Sequence, residues 1–159
     1  MHTDITREQL LQYVAPCSII CYACAECKNG AIARHAQALD TYFDGFDALR
    51  GDEGVAQFMQ TLKFLAYHLN TCGGCRSVPR SDACIKDCFI PECTKEHQVD
   101  FCGECGEFPC QKVQQSTIFN EKNIQKWISH NQYIKENGAM TFFQNFKDKS
   151  QYSHYKNND

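Results

Sequence analysis

Cys72-Gly73-Gly74-Cys75 and Cys102-Gly103-Glu104-Cys105-Gly106-Glu107-Phe108-Pro109-Cys110 bracket the part of this chain from which the rest is read. Cys84, Cys88 and Cys93 lie between the two blocks, so residues 72–110 hold eight of the twelve cysteines. A C-x-x-C pair lets two thiolates reach one ion from a tight turn, which suits tetrahedral metal binding. The glycines inside and after the pairs supply the backbone freedom such turns need. The spacers are short, and short spacers cannot build a core of their own. An irregular lobe ordered largely by bound metal is therefore expected here.

At 159 residues the chain has the length of one domain. Three segments are expected within it: N-terminal helices with a first cysteine cluster (1–71), the cysteine-rich lobe (72–110) and C-terminal helices (111–159). The first ten residues are polar and charged, unlike a secretory signal, and no apolar run reaches the ~18 residues of a membrane span. The expectation is a cytoplasmic protein, where clustered thiols act as ligands or redox groups rather than as a disulfide framework. Net charge is −3: segments 1–71 and 72–110 carry −3 each and 111–159 carries +3. Nothing in that balance invites nucleic acid or an anionic membrane.

The first cysteine cluster reads Cys17-x3-Cys21-x2-Cys24-x2-Cys27. Its first three positions match the spacing that holds a [4Fe–4S] cluster in radical-SAM enzymes, although this chain is too short for their barrel. Buried free cysteines, acting as small hydrophobes, are the plain alternative. A continuous helix over 17–27 would spread the sulfurs along ~15 Å, whereas thiolates sharing one ion sit ~3.8 Å apart. The expectation is Cys17 in a loop after Pro16, and Cys21 and Cys24 on the first turn of a helix running through Ala31. Cys27 then packs one turn further out against the Val55–Leu69 helix, and any fourth ligand comes from elsewhere, such as the lobe.

Helices are predicted on both sides of the lobe. Thr6 caps a short one that Pro16 stops. Ala31 to Leu39 has good helix propensity, and Asp40 to Gly51 reads as a loop or broken helix packed by its aromatics. Asp52 caps the clearest helix, whose stripe is Val55, Phe58, Met59, Leu62, Leu65, Ala66 and Leu69. Phe64, Tyr67 and His68 lie off that stripe, facing another lobe. Beyond Cys110, Ile124, Trp127, Ile128, Tyr133 and Ile134 mark a helix ended by Asn137-Gly138. Met140, Phe142, Phe143 and Phe146 mark a shorter one, and the tail from Ser150 reads as loose. The fold expected is mainly α, a small helical domain carrying an irregular metal-binding lobe.

The order of these features resembles the small cysteine-rich bacterial and archaeal proteins classed as domain of unknown function 3795. The resemblance is carried by Ala15-Pro16-Cys17-x3-Cys21-x2-Cys24, Cys72-Gly-Gly-Cys75-Arg76, Cys88-x4-Cys93 and Cys102-Gly-Glu-Cys105-Gly-Glu-Phe-Pro-Cys110. The helix leading into Cys72 and the stretch Ile134-Lys-Glu-Asn-Gly138 are also similar, so it spans roughly residues 14–145. It implies a cysteine lobe on a helical base and no established activity. The family's usual Cys-Gly-Leu-Asp-Cys stands here as Cys17-Ser-Ile-Ile-Cys21, and Cys27 is outside its pattern.

The candidate metal ligands are therefore Cys17, Cys21, Cys24, Cys72, Cys75, Cys84, Cys88, Cys93, Cys102, Cys105 and Cys110. His97 is a conceivable replacement ligand. Zinc, as two or more ions, is the first expectation, with a [4Fe–4S] cluster at Cys17, Cys21 and Cys24 as the alternative. Closed all-thiolate sites leave no open position for substrate, and no acid–base or nucleophile–base pair stands out. A structural or interaction module with a protein partner is expected, against an iron–sulfur electron-transfer protein or a C-x-x-C thiol redox enzyme. Duplex DNA should bind weakly and without sequence preference, because the ribbon-like lobe is acidic. A nanomolar binding curve at ~150 mM salt would overturn this.

Overall fold

Thr6 begins the first helix, α1 (Arg7–Tyr13), through a reciprocal cap: its hydroxyl accepts the Gln9 N–H at 3.2 Å and the Gln9 side chain accepts the Thr6 N–H at 2.9 Å. The computed structural model describes residues 5–77, 83 and 85–153. These residues are mainly helical and include no β-strand beyond two isolated bridges. After α1 come α2 (Ala31–Tyr42), α3 (Phe46–Leu49) and α4 (Glu53–Lys63). The cysteine-rich region adds α5 (Ile90–Glu96), with Pro91 in its first turn where no N–H is needed, and α6 (Gln111–Gln114) follows. α7 (Glu121–Asn137) and α8 (Ala139–Phe146) complete the helices.

The predicted caps are present. The Asp52 carboxylate accepts the Val55 N–H at 3.0 Å at the start of α4. Gly138, at φ +82°, ends α7 and opens α8, a left-handed turn that a side chain would strain. That turn folds α8 back on α7, and Phe142 and Phe143 become fully buried with Leu10, Tyr13, Ile134 and Phe101. Tyr13 stacks on Phe143 at 6.1 Å between ring centres, and Phe142 stacks on Phe146 at 4.7 Å. Burying each such ring contributes on the order of 2–3 kcal/mol. This aromatic base is the platform for the cysteines.

A second apolar cluster joins α2 to α4 through Ala36, Leu62 and Ala66. Here the structure corrects the long straight helix expected over 52–69. α4 ends at Lys63 and Phe64–His68 forms a π-helical turn. The wider turn keeps Ala66 inside while leaving Phe64 and Tyr67 half exposed, so neither covers another lobe as predicted. The Tyr67 hydroxyl instead donates to Asp40 at 3.0 Å. The aromatics of residues 40–51 behave unevenly. Phe43 meets Phe46 and Phe58 edge-on, but Tyr42 is 86% exposed. The tail also differs from expectation: Gln151 is buried, and the Tyr152 hydroxyl accepts the Ala25 N–H at 2.8 Å. Residues 154–159 lie outside the described residues.

His130 on α7 faces Phe142 and Phe146 at 5.0 and 5.1 Å. Burial, with Lys126 and Lys149 nearby, pushes its pKa down from 6.5 to about 4. As pH falls through that window the unfolded chain takes up a proton that the folded chain refuses, so stability declines between about 6.5 and 4. Since the ring is only partly buried, the loss should not exceed about 2 kcal/mol. Urea unfolding of wild type and His130→Phe at neutral and acidic pH should show a shallower pH dependence in the variant. Identical slopes would exclude this role.

Candidate functional site

The cysteines nearest the N-terminus are positioned by tight turns rather than by a helix. Val14 bridges Ile20, the Ala15 N–H donates to the Ile19 carbonyl at 2.8 Å, and Ser18 takes φ +70° at the apex. Cys21–Ala23 is a single 3-10 turn in which the Cys24 N–H donates to the Cys21 carbonyl at 2.9 Å. The Cys27 N–H then repeats the step onto Cys24 at 3.2 Å. Cys27 is buried and lies beside Cys72 in a parallel bridge, where the Cys72 N–H donates to Glu26 and the Lys28 N–H to Cys72, both at 2.8 Å. This corrects the helical placement of Cys21 and Cys24 and the packing of Cys27 against the 55–69 helix. Helix α2 starts only at Ala31, because hydrogen bonds to the Cys72 backbone and the left-handed Asn29 (φ 62°) hold the preceding residues in turns.

The second knuckle repeats the form. Cys102–Glu104 is a 3-10 turn with the Cys105 N–H on the Cys102 carbonyl at 3.1 Å. The Glu104 carboxylate locks it by accepting the N–H groups of Asp100 and Phe101, each at 3.0 Å. In both C-x-x-C turns the second cysteine is extended, with ψ 137° at Cys24 and at Cys105. At Cys72-Gly-Gly-Cys75, the Gly74 N–H points at the Cys72 sulfur at 3.4 Å, a contact that stabilises sulfur carrying negative charge.

The thiols fall into overlapping neighbourhoods. Cys17 and Cys21 both feel Cys75, and Cys17 also feels Cys88 and Cys102. Cys27 feels Cys24 and Cys72. Cys93 feels Cys110 and Cys105, and Cys102 feels the same three. Cys93, Cys102, Cys105 and Cys110 also line one apolar cavity of about 20 Å³, room for roughly a single water-sized particle. Burial pushes the thiol pKa of Cys27 and Cys102 up to about 12 and raises Cys17, Cys21 and Cys93. A bound cation would reverse that shift, since a coordinating thiol is deprotonated outright. No disulfide joins any of the eleven described cysteines, and Cys84 lies outside the described residues. Among the described residues no three Cys, His, Asp or Glu side chains already stand in positions to hold a metal ion. His97 lines the same small cavity.

Three residues to which the sequence assigns no role at the thiols organise them. Arg76 is half-buried, and its guanidinium donates to the carbonyls of Leu11 and Val14, both at 2.6 Å, and to that of Asp100. It also covers the Phe101 ring at 5.0 Å and lies close enough to Cys75, Cys21 and Cys17 to favour their anionic forms. Trp127 is buried beneath Phe108 at 5.1 Å, and its indole N–H has no well-aligned partner. The group it acts on is the Cys102 sulfur, where it opposes the effect of burial. Asn131 is wholly buried: its amide nitrogen donates to Ser18 Oγ (3.0 Å) and to the carbonyls of Trp127 (2.9 Å) and Cys17 (3.3 Å). Its Oδ1 accepts the Gly103 N–H at 2.9 Å. A lone Asn among apolar helix positions was the one available signal for this last residue.

The spacing Cys72-Gly-Gly-Cys75-Arg76, the Cys88-x4-Cys93 pair and the Cys102–Cys110 block are thus parts of one packed assembly. The sequence profile described as "Protein of unknown function (DUF3795)" matches residues 13–115. The chain belongs to the DUF3795 family. The DUF3795 match takes in every cysteine and ends before Ile134–Gly138, a stretch that the sequence reading had counted as similar. No curated protein and no solved structure matched the chain. No described helix of this DUF3795 member is long and apolar enough to cross a membrane.

Asn131→Leu should destabilise the protein by about 3 kcal/mol, since it strands the buried Gly103 N–H and Cys17 carbonyl. Gly103→Ala should cost a comparable amount, because its Cβ would fall 2.2 Å from the Asn131 carbonyl oxygen. The two changes act on one contact, so the double variant should lose clearly less than the sum. Denaturant titration of the four proteins measures this, and strict additivity would show that the contact is not shared.

Proposed function

We propose that this DUF3795 protein holds zinc ions in closed, all-thiolate sites and serves as a structural or docking module for a protein partner. The observation that carries the reading is that every described cysteine has other thiols as neighbours, in and around one buried cluster. The donor set is chemically suited to zinc, which takes four thiolates in a tetrahedral site and supplies folding free energy when bound. Cys93, Cys102, Cys105 and Cys110 would form one set of ligands. Cys17 and Cys21 would join Cys75 and Cys88 in a second, leaving Cys24, Cys27 and Cys72 as a further group of neighbouring thiols. Arg76 offsets the negative charge that thiolates bring, and the Trp127 indole N–H lies near the Cys102 sulfur, where it favours the thiolate.

An iron–sulfur electron-transfer protein is the second reading. It is favoured by the C-x3-C-x2-C spacing and by Cys17 and Cys24 lining the same larger cavity. Protein made and purified without oxygen separates the two. Zinc gives a colourless protein with about two or more ions per chain by elemental analysis, whereas an iron–sulfur cluster gives a brown one with broad visible absorption. Chelation of zinc should unfold residues 72–110, given on the order of 10 kcal/mol per structural site. Protein free of both metals under these conditions would sink the proposal.

A further inference from the structure

Cys24, Cys27 and Cys72 are left over once the other thiols are grouped, and the backbone already gathers them. The Cys27 N–H donates to the Cys24 carbonyl at 3.2 Å, which makes a tight C-x-x-C turn from which two sulfurs can reach one ion. Cys27 and Cys72 are paired in a parallel bridge, so their side chains leave the backbone on the same face. Strands bridged in this way lie ~4.8 Å apart, and thiolates sharing one ion stand ~3.8 Å apart. Turning the side chains, rather than moving the chain, closes that gap. We propose that these three cysteines form a separate metal site, one that takes Cu(I) in a shell of three sulfurs.

Each sulfur has its own stabiliser of negative charge. Cys72 Sγ accepts the Gly74 N–H at 3.4 Å. Cys24 Sγ accepts the Tyr152 hydroxyl at 3.6 Å, and that hydroxyl is fixed in turn by the Ala25 N–H at 2.8 Å. Burial opposes a thiolate at Cys27, and the Arg34 guanidinium lies near enough to work against that burial. Three separate elements, the 72–75 turn, the tail and α2, thus direct a donor or a cation at one thiol group. Outer partners of this kind orient metal ligands and tune them. The number of sulfurs selects the ion. Zinc in a closed site takes four ligands, and with Cys21 and Cys75 drawn to Cys17 and Cys88 no fourth thiol remains for this group among the described residues. Cu(I) is soft, prefers thiolate and is satisfied by three. Cys27 is only 3% exposed, so water is poorly placed to complete a zinc shell there. Cys24 and Tyr152 line the cavity of about 370 Å³ beside α7, which gives the ion a way in. On binding, the thiol protons pass to solvent and no electron is transferred.

The proposal rests on the reading of these cysteines as ligands, but not on zinc filling the other two groups. The test uses the full chain purified without oxygen, titrated with Cu(I) in competition with bathocuproine disulfonate. The first equivalent should bind without releasing zinc and show three sulfurs around copper by X-ray absorption. Folded Cys24→Ser and Cys27→Ser should lose that equivalent and keep their zinc, whereas Cys110→Ser should lose zinc and keep Cu(I). Tyr152→Phe should weaken Cu(I) by about tenfold. Melting of each variant shows whether it is folded, and the sulfur count on wild type needs no variant at all. Zinc released mole for mole with the first equivalent overturns the proposal. So does a four-sulfur shell, or an unchanged Cu(I) affinity in folded Cys24→Ser or Cys27→Ser. Protein that holds no zinc yet binds one Cu(I) through these three cysteines would sink the zinc reading and support this one.

Discussion

Everything at the cysteine face depends on one buried amide. Asn131 is fully enclosed on α7 and ties three separate stretches of chain together: the Cys17–Ser18 turn, the Cys102–Glu104 turn and its own helix at Trp127. Its donors and acceptor are all engaged, so it avoids the penalty of a buried polar group and fixes one arrangement. Gly103 must be glycine for the same reason, since α7 passes so close that no Cβ fits. The first and last cysteine blocks, more than 80 residues apart in sequence, meet because this contact brings them to one helix.

Charge is the second constraint. A cluster of buried thiols is tolerable when protonated, and burial keeps them so in the folded chain. If they ionise, the negative charge must be met locally. Arg76 is placed for that, half-buried near Cys17, Cys21 and Cys75 and held by three backbone carbonyls. The Asp100 carboxylate also bears on Arg76, and it is itself paired with Arg7. The indole N–H of Trp127 serves Cys102 on a smaller scale. Both features suit a site meant to carry thiolate.

Much of the helical frame was legible from local signals. Thr6 and Asp52 cap helices by bonding the first free N–H groups, and Gly138 ends α7, because caps act over three or four residues and leave a sequence trace. The aromatic pattern of α8 was equally plain, since helical spacing alone puts Phe142 and Phe143 on one face. Failures came where a distant partner overrode the local pattern. The residues after Cys21 were read as helix, but bonding to Cys72 drew them into successive turns. The apolar stripe of 52–69 looked continuous, yet the π-turn at Phe64–His68 fits Ala66 against α2.

The sequence by itself therefore determined the class of this protein: a mainly helical chain of the DUF3795 family with its cysteines in two dense blocks. Composition, caps and periodicity are properties of neighbouring residues, and they survive in the order of letters. Which cysteine lies beside which was decided only by the tertiary structure. Cys27 meets Cys72, Cys17 meets Cys75, and Cys93 shares a cavity with Cys102, Cys105 and Cys110. Such neighbourhoods exist only once distant stretches have packed together, so no local pattern of letters records them.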